Sequence, residues 1–266
     1  MALPTQFAHR LDLPVRADSV DSPIVNYGDP MSAIHFVTDD GQWARITFER
    51  LDSLRVSRGE HAPFPTHPDC ADDYHWASTI SNSAWLRERY EYEKICYGRA
   101  YNFGGNVEEM IDEYSHYLFS FHDEFVEAIA AGIWIELDDT ILGKREMEIP
   151  HPLKGLAHLP IAEHFESSGI RCFVRRNPTP TDELDRAAAL CSQTILEIGE
   201  ELEGSRSTSW FLTRRVKNGI GKTYLRNYFG NAEQTYDTIP SLQEIRPRID
   251  KWLSEVRERR RQMGKQ

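Results

Sequence analysis

The 266-residue sequence predicts an α+β fold: two antiparallel β-rich units with a few helices and a C-terminal amphipathic helix. Three features carry that expectation. Alternating strands flank Asp40-Gly41 and Asn218-Gly219, dipeptides that favour tight hairpins. Helical patterns are few and do not alternate regularly with strands, which argues against a parallel α/β sheet. A proline-rich stretch near residue 150 parts the chain into two segments of domain size.

Residues 1–30 read as an irregular N-terminal arm with room for one edge strand. The unit over 31–143 opens on "SAIHFVTDDGQWARITFER". There Ala44, Ile46 and Phe48 alternate with Arg45, Thr47 and Glu49, giving one buried and one solvated face. "SLRVSRGE" repeats the pattern with Leu54 and Val56 inward, so a three-stranded meander is expected. Prolines at 63, 65 and 68 make the next stretch a loop, because proline has no N–H to donate. "SNSAWLRERYEYEKICYGRAYNFGG" reads as a helix, with Ser81 or Ser83 as N-cap and Gly104-Gly105 as its stop. Asn106 then caps a short helix, with Glu109 three residues on. In "HYLFSFHDEFVEAIAAGIWIEL", β-branched and aromatic residues favour a hairpin of residues 116–129 and 133–137, broken at Gly132. Frequent Ala and Glu leave a helix over 121–131 open.

Residues 144–160 read as a linker, and 161–266 as a second α+β unit with a basic C-terminal helix. "GIRCFVRR" is a short strand. A helix starts at Thr181, its cap, with acidic residues in its first turn, and gives way to strand over 193–202. A hairpin follows about Asn218-Gly219. Leu242, Ile245, Ile249, Trp252 and Val256 form one stripe of a closing helix, which Pro247 kinks or starts.

Composition narrows the class. No apolar run approaches the roughly 20 residues of a membrane span. The N-terminus shows no apolar signal-peptide core. Cys70, Cys96, Cys172 and Cys191 are widely spaced and form no CxxC, which suits a reducing cytoplasm. No fixed-period repeat is present, against solenoids and propellers.

Charge is unevenly spread. The net charge is −11, and residues 100–143 hold ten Asp and Glu with no Lys or Arg. Residues 204–266 hold 14 basic and 6 acidic residues. An acidic pole this dense calls for solvent, cations or a basic partner.

Two clusters suggest chemistry. His61, His67, Cys70 and His75 in the proline-rich loop carry zinc-ligand atoms, but their spacing matches no standard finger. His122-Asp123-Glu124 interrupts an apolar segment. On one continuous strand, Asp123 and Glu127 share a face with Tyr117, Phe119, Phe121 and Phe125, while His122 and Glu124 lie opposite. In a helix, Asp123 and Glu127 become neighbours able to share a metal or act as an acid/base pair. No Walker A loop, GxSxG, HExxH or GxGxxG is present. Arg214, Arg215, Lys217, Lys222 and Arg226 stand near Trp210, Tyr224 and Tyr228, yet the acidic chain carries no reader motif, so nucleic acid is not the expected partner.

"WARITFERLDSLRVSRGE" and "FSFHDEFVEAIAAGIWIE", about a fifth of the chain, resemble segments of the immunity proteins of bacterial polymorphic toxin systems. The resemblance implies an acidic, cytoplasmic α+β protein that binds and blocks a toxin. It transfers no binding residue.

The expected function is therefore a cytosolic bacterial binding or inhibitory protein that docks a basic protein partner, without a cofactor. Glu108, Glu109, Asp112 and Glu113 form the expected contact patch, anchored by Tyr114 and Trp134. Two alternatives stand beside it. One is a metal-dependent hydrolase or nuclease using Asp123, Glu124 or Glu127 with a loop histidine. The other is a self-assembling protein whose basic tail meets a neighbour's acidic pole. The sequence sets no oligomeric state.

Overall fold

Alternating apolar residues build two antiparallel sheets, one in each half of the chain, so the fold class is α+β. The computed structural model describes residues 5–28, 31–70, 75–98, 107–138, 150–153, 155–202, 205–227 and 232–263. The chain divides into the units Met1–Leu153 and Lys154–Gln266. Among the described residues, no helix is long and apolar enough to cross a membrane.

The first unit contains strands β1 (Phe7–Arg10), β2 (Ile24–Asn26), β3 (Ala33–Val37), β4 (Trp43–Arg58), β5 (Ala77–Ser81), β6 (Ser115–Ser120) and β7 (Glu124–Asp138). Helices α1 (Ala84–Tyr97) and α2 (Met110–Glu113) lie between β5 and β6 in sequence. The sheet order is β1-β5-β6-β7-β4-β3-β2.

The N-terminal arm thus holds two short strands where room for one edge strand was expected. It supplies a strand to each edge of the sheet, and the chain between them crosses one face. Leu11, Leu13, Val15 and Ala17 pack there on a core that includes Ile34, Phe36, Ile46, Phe119 and Val126. The indole N–H of Trp76 donates to the Val15 carbonyl at 3.1 Å. Each such large buried side chain contributes roughly 1.5–3 kcal/mol of transfer free energy.

The expected three-stranded meander is also corrected. "WARITFERLDSLRVSR" is one 16-residue strand. Its register with β7 shifts between Leu51 and Ser53, beside Arg50 at φ 47°. A bulge bends the strand instead of ending it. Beyond the bulge Val56 is 50% exposed, not inward.

On the opposite face, α1 packs Trp85, Leu86 and Tyr90 over Met110, Tyr114, Ile129 and Ala131. Ser83 caps it, its hydroxyl oxygen accepting the Leu86 N–H at 3.0 Å. Gly98, at φ 61°, ends the helix before the expected Gly104-Gly105, which with Asn106 lies outside the described residues.

The second unit is a meander of β8 (Glu163–Ser167), β9 (Ile170–Arg176), β10 (Gln193–Leu202), β11 (Ser205–Lys217), β12 (Ile220–Asn227) and β13 (Ala232–Tyr236). The Asn218-Gly219 hairpin forms with both residues at positive φ, as its backbone twist requires. Helix α3 (Thr181–Ala188) starts one residue earlier than the Thr181 cap implied, with Pro180 in the cap position. Arg214 clamps it to β11 by two bonds to Asp185, at 2.8 and 3.2 Å. That residue, suspected of meeting nucleic acid, is committed inside the fold.

Helix α4 (Leu242–Met263) lays Ile245, Ile249 and Leu253 on Val174, Leu196, Ile198 and Leu212. Pro247 sits inside it and does not start it. Ser241 and Glu244 form a capping box. The Ser241 N–H donates to Glu244 at 2.6 Å, and the Glu244 N–H donates to the Ser241 hydroxyl oxygen at 3.3 Å. The backbone bond first, then the hydroxyl, holds the Glu244 carboxyl below its usual range.

Of the expected linker, residues 144–149 and 154 lie outside the described residues. Leu156 is buried, and its N–H donates to Glu197 Oε1 at 2.6 Å, so this segment packs onto the second sheet. Gly155 is needed there: at φ 75°, an added Cβ would stand 2.7 Å from that same oxygen.

Candidate functional site

The His-Asp-Glu triplet is a hairpin turn. Ser120 pairs with Phe125 across β6 and β7, and the Phe121 N–H donates to the Glu124 carbonyl at 2.8 Å. His122 and Asp123 are the two turn residues. Asp123 takes φ 51°, a left-handed conformation that aspartate tolerates better than most residues. The open alternative of a helix over 121–131 is thus overturned, as is the hairpin broken at Gly132, which lies within β7.

The turn reverses the face assignment. Phe119 pairs with Val126 and Tyr117 with Ala128 on the face crossed by the N-terminal arm. Phe125 joins Leu118 on the helix face, and Glu127 bonds there to His116. The three candidate catalytic carboxylates separate accordingly. Asp123 is exposed, with its carboxylate 3.3 Å from His122 Nδ1. Glu124 lies 3.7 Å from Arg58. Glu127, 6% exposed, lies between His116 and Arg55.

Arginines of β4 meet the acidic segment in series. Arg45 meets Glu136 at 2.6 Å, Arg50 meets Glu113 at 2.7 Å, and Arg55 and Arg58 stand 3.7 Å from Glu127 and Glu124. Three of the four pairs sit in cross-strand register with β7. The bulge carries Arg50 out of register, to α2. Burial alone would lower the Arg50 pKa, but Glu113 and then Glu49 raise it above its ordinary value. Arg89 likewise bonds Asp52 at 2.7 Å and Glu93 at 3.1 Å. The Glu93 carboxyl is still pushed up, first by burial and then by Asp52.

This pairing revises the expected contact patch. Glu113 is already matched, and Tyr114, 2% exposed, belongs to the core with Met110 and Ile129. A ring so buried cannot anchor a partner. Glu109 and Trp134 are half-buried, and Asp112 is exposed. The Glu108 side chain lies outside the described residues.

The candidate zinc ligands disperse as well. His61 is exposed, and His67 stacks on His9 with ring centroids 4.3 Å apart. The Cys70 side chain lies outside the described residues. Among the described residues, no group of three or more His, Cys, Asp or Glu is arranged to hold a metal ion.

Two flagged segments do meet, at a cleft of about 220 Å³. Its apolar walls are Phe64, Leu118, Phe121 and Phe125, and its polar lining includes Glu60, His75, Ser78, Ser120 and Asp123. The Gly59 N–H donates to the Asp123 carbonyl at 3.1 Å, pinning the loop after β4 to the turn. The loop then reaches β1, where the Ala8 N–H donates to Pro65 and the His67 N–H donates back to Ala8, both at 2.9 Å. Prolines 63 and 65 lack N–H groups and so leave no donor unsatisfied in this crossing.

Behind Phe64 runs a buried polar chain that sequence spacing did not reveal. Ser83 Oγ and His116 Nδ1 are 2.8 Å apart, and His116 Nε2 and Glu127 Oε2 are 2.9 Å apart. The residue types match a nucleophile, base and acid. Their burial does not suit that chemistry: His116 is 1% exposed, and the rings of Phe64 and Trp85 meet it edge-on. Ser83 is also held as the helix cap. The chain satisfies buried polar groups.

The fold and cleft define a class: an α+β protein with an acid-rimmed, phenylalanine-walled cleft. Beyond that class, no family model matches the chain, and neither does a curated protein or a solved structure.

Proposed function

We propose that this is a non-enzymatic binding protein of the bacterial cytosol whose first unit docks a basic protein partner. One contrast carries the reading. Glu113 of α2 and the β7 carboxylates Glu124, Glu127 and Glu136 each meet an arginine of β4. Glu60 and Asp123, at the cleft, meet no Lys or Arg among the described residues. The first unit holds 27 acidic against 12 basic residues, and the second 15 against 19. Net charges of −15 and +4 confine the excess to the unit that bears the cleft. A field of this kind steers a basic protein and fixes its orientation. Blocking a toxin, as the resemblance to immunity proteins implies, falls within this class.

Affinity capture from the native host tests the reading. The full chain should retain a basic protein. Reversal of Glu60 and Asp112 to Lys, together with Asp123→Asn, which tolerates the left-handed turn, should lower capture by about tenfold or more with an unchanged melting curve. Equal capture by the reversed chain would overturn the proposal.

A further inference from the structure

We propose that the cleft beside the His122-Asp123 turn is a socket for one basic side chain, lysine or arginine, presented by a protein partner. The inference rests on the docking reading and names the contact that makes it specific. A volume of about 220 Å³ falls below the roughly 300–1,000 Å³ of small-molecule sites and suits a single side chain. The walls have two characters. Phe64, Phe121 and Phe125 offer aromatic surface to an alkyl stem or a guanidinium plane. Glu60 and Asp123 offer two carboxylates with no competing Lys or Arg in the lining. A buried cation requires such paired acceptors, because its desolvation is otherwise uncompensated.

Ser78 adds an independent sign. It is 4% exposed and lines the cleft beside the carboxylates, so its hydroxyl adds an acceptor to the wall. An ammonium or guanidinium would donate to that oxygen. A neutral apolar occupant would bring no counter-charge to Glu60 and Asp123, and an anion would face both carboxylates.

The test uses ¹⁵N-labelled full-length protein and three probes: the N-acetyl N-methylamides of arginine, lysine and norleucine. Arginine or lysine probes should shift the amides of Gly59, Glu60, Ser78 and Asp123 saturably, with a Kd on the order of 1 mM. The norleucine probe should bind at least about fivefold more weakly. A Glu60→Gln, Asp123→Asn double variant should lose that preference while melting as the wild type does, since asparagine tolerates the left-handed turn. Equal binding of norleucine, or shifts confined to other surfaces, would overturn the socket. The two proposals fail separately. A chain that captures a basic partner but ignores the probes loses the socket and keeps the docking reading. A chain whose cleft takes basic probes but captures no partner loses the docking reading and keeps a site for basic groups.

Discussion

Asp123 shows how one backbone angle changes the meaning of a motif. Read as continuous strand, it shared a face with Phe121 and Phe125. At φ 51° it turns the chain, leaves its own carboxylate at the cleft and sends Glu127 to His116. His9 offers a residue-scale test by pH. Its ring stacks on His67 and bonds Ser81 at 2.9 Å, and burial first, then His67, lowers its pKa from 6.5. A base with a depressed folded pKa binds its proton more readily in the unfolded chain. Its contribution is therefore lost as pH falls through the ordinary value near 6.5. Urea midpoints should drop more for wild type than for His9→Gln between about pH 7.5 and 5.5. Equal drops in the two proteins would remove His9 from the acid sensitivity.

At the scale of elements, β4 and β10 carry the most constraint. The length of β4 lets it present Arg45, Arg55 and Arg58 to β7 in register, while its bulge spends one residue to bring Arg50 to α2. In β10 the register against β11 shifts at Ile198/Gly199. A Cβ on Gly199 would stand 2.3 Å from the Phe173 ring and 2.4 Å from the Ser207 carbonyl oxygen. The second neighbour is backbone and cannot swing aside. Gly199→Ala should therefore cost about 1–3 kcal/mol, read as a lower calorimetric melting temperature. An unchanged melt would show that the sheet absorbs the methyl group. The hairpin at Asn218-Gly219 and the closing amphipathic helix were legible in sequence, because turn chemistry and a helical stripe are local signals. The edge strands β1 and β2 were not, since three or four residues carry little periodicity.

At the scale of the whole molecule, charge decides the expected behaviour of the docking interaction. The −15 of the first unit acts at a distance through water and is screened by salt. Capture of a basic partner should weaken markedly between about 0.05 and 0.5 M NaCl, chiefly through a slower association rate. Retention that is indifferent to salt would point to an apolar interface instead. By itself, the sequence determined what is additive or local: the net charge, its concentration in the first half, the alternation of strands and the turn dipeptides. It also showed the stretch 100–143 without a positive charge. Only the tertiary structure decided which of those acids are neutralised. Arg45 and Glu136 lie 91 positions apart in the chain and 2.6 Å apart in the fold. Strand pairing makes such neighbours, and it depends on register, bulge and turn together. Those same non-local contacts left Glu60 and Asp123 at one cleft with no arginine among its described lining residues.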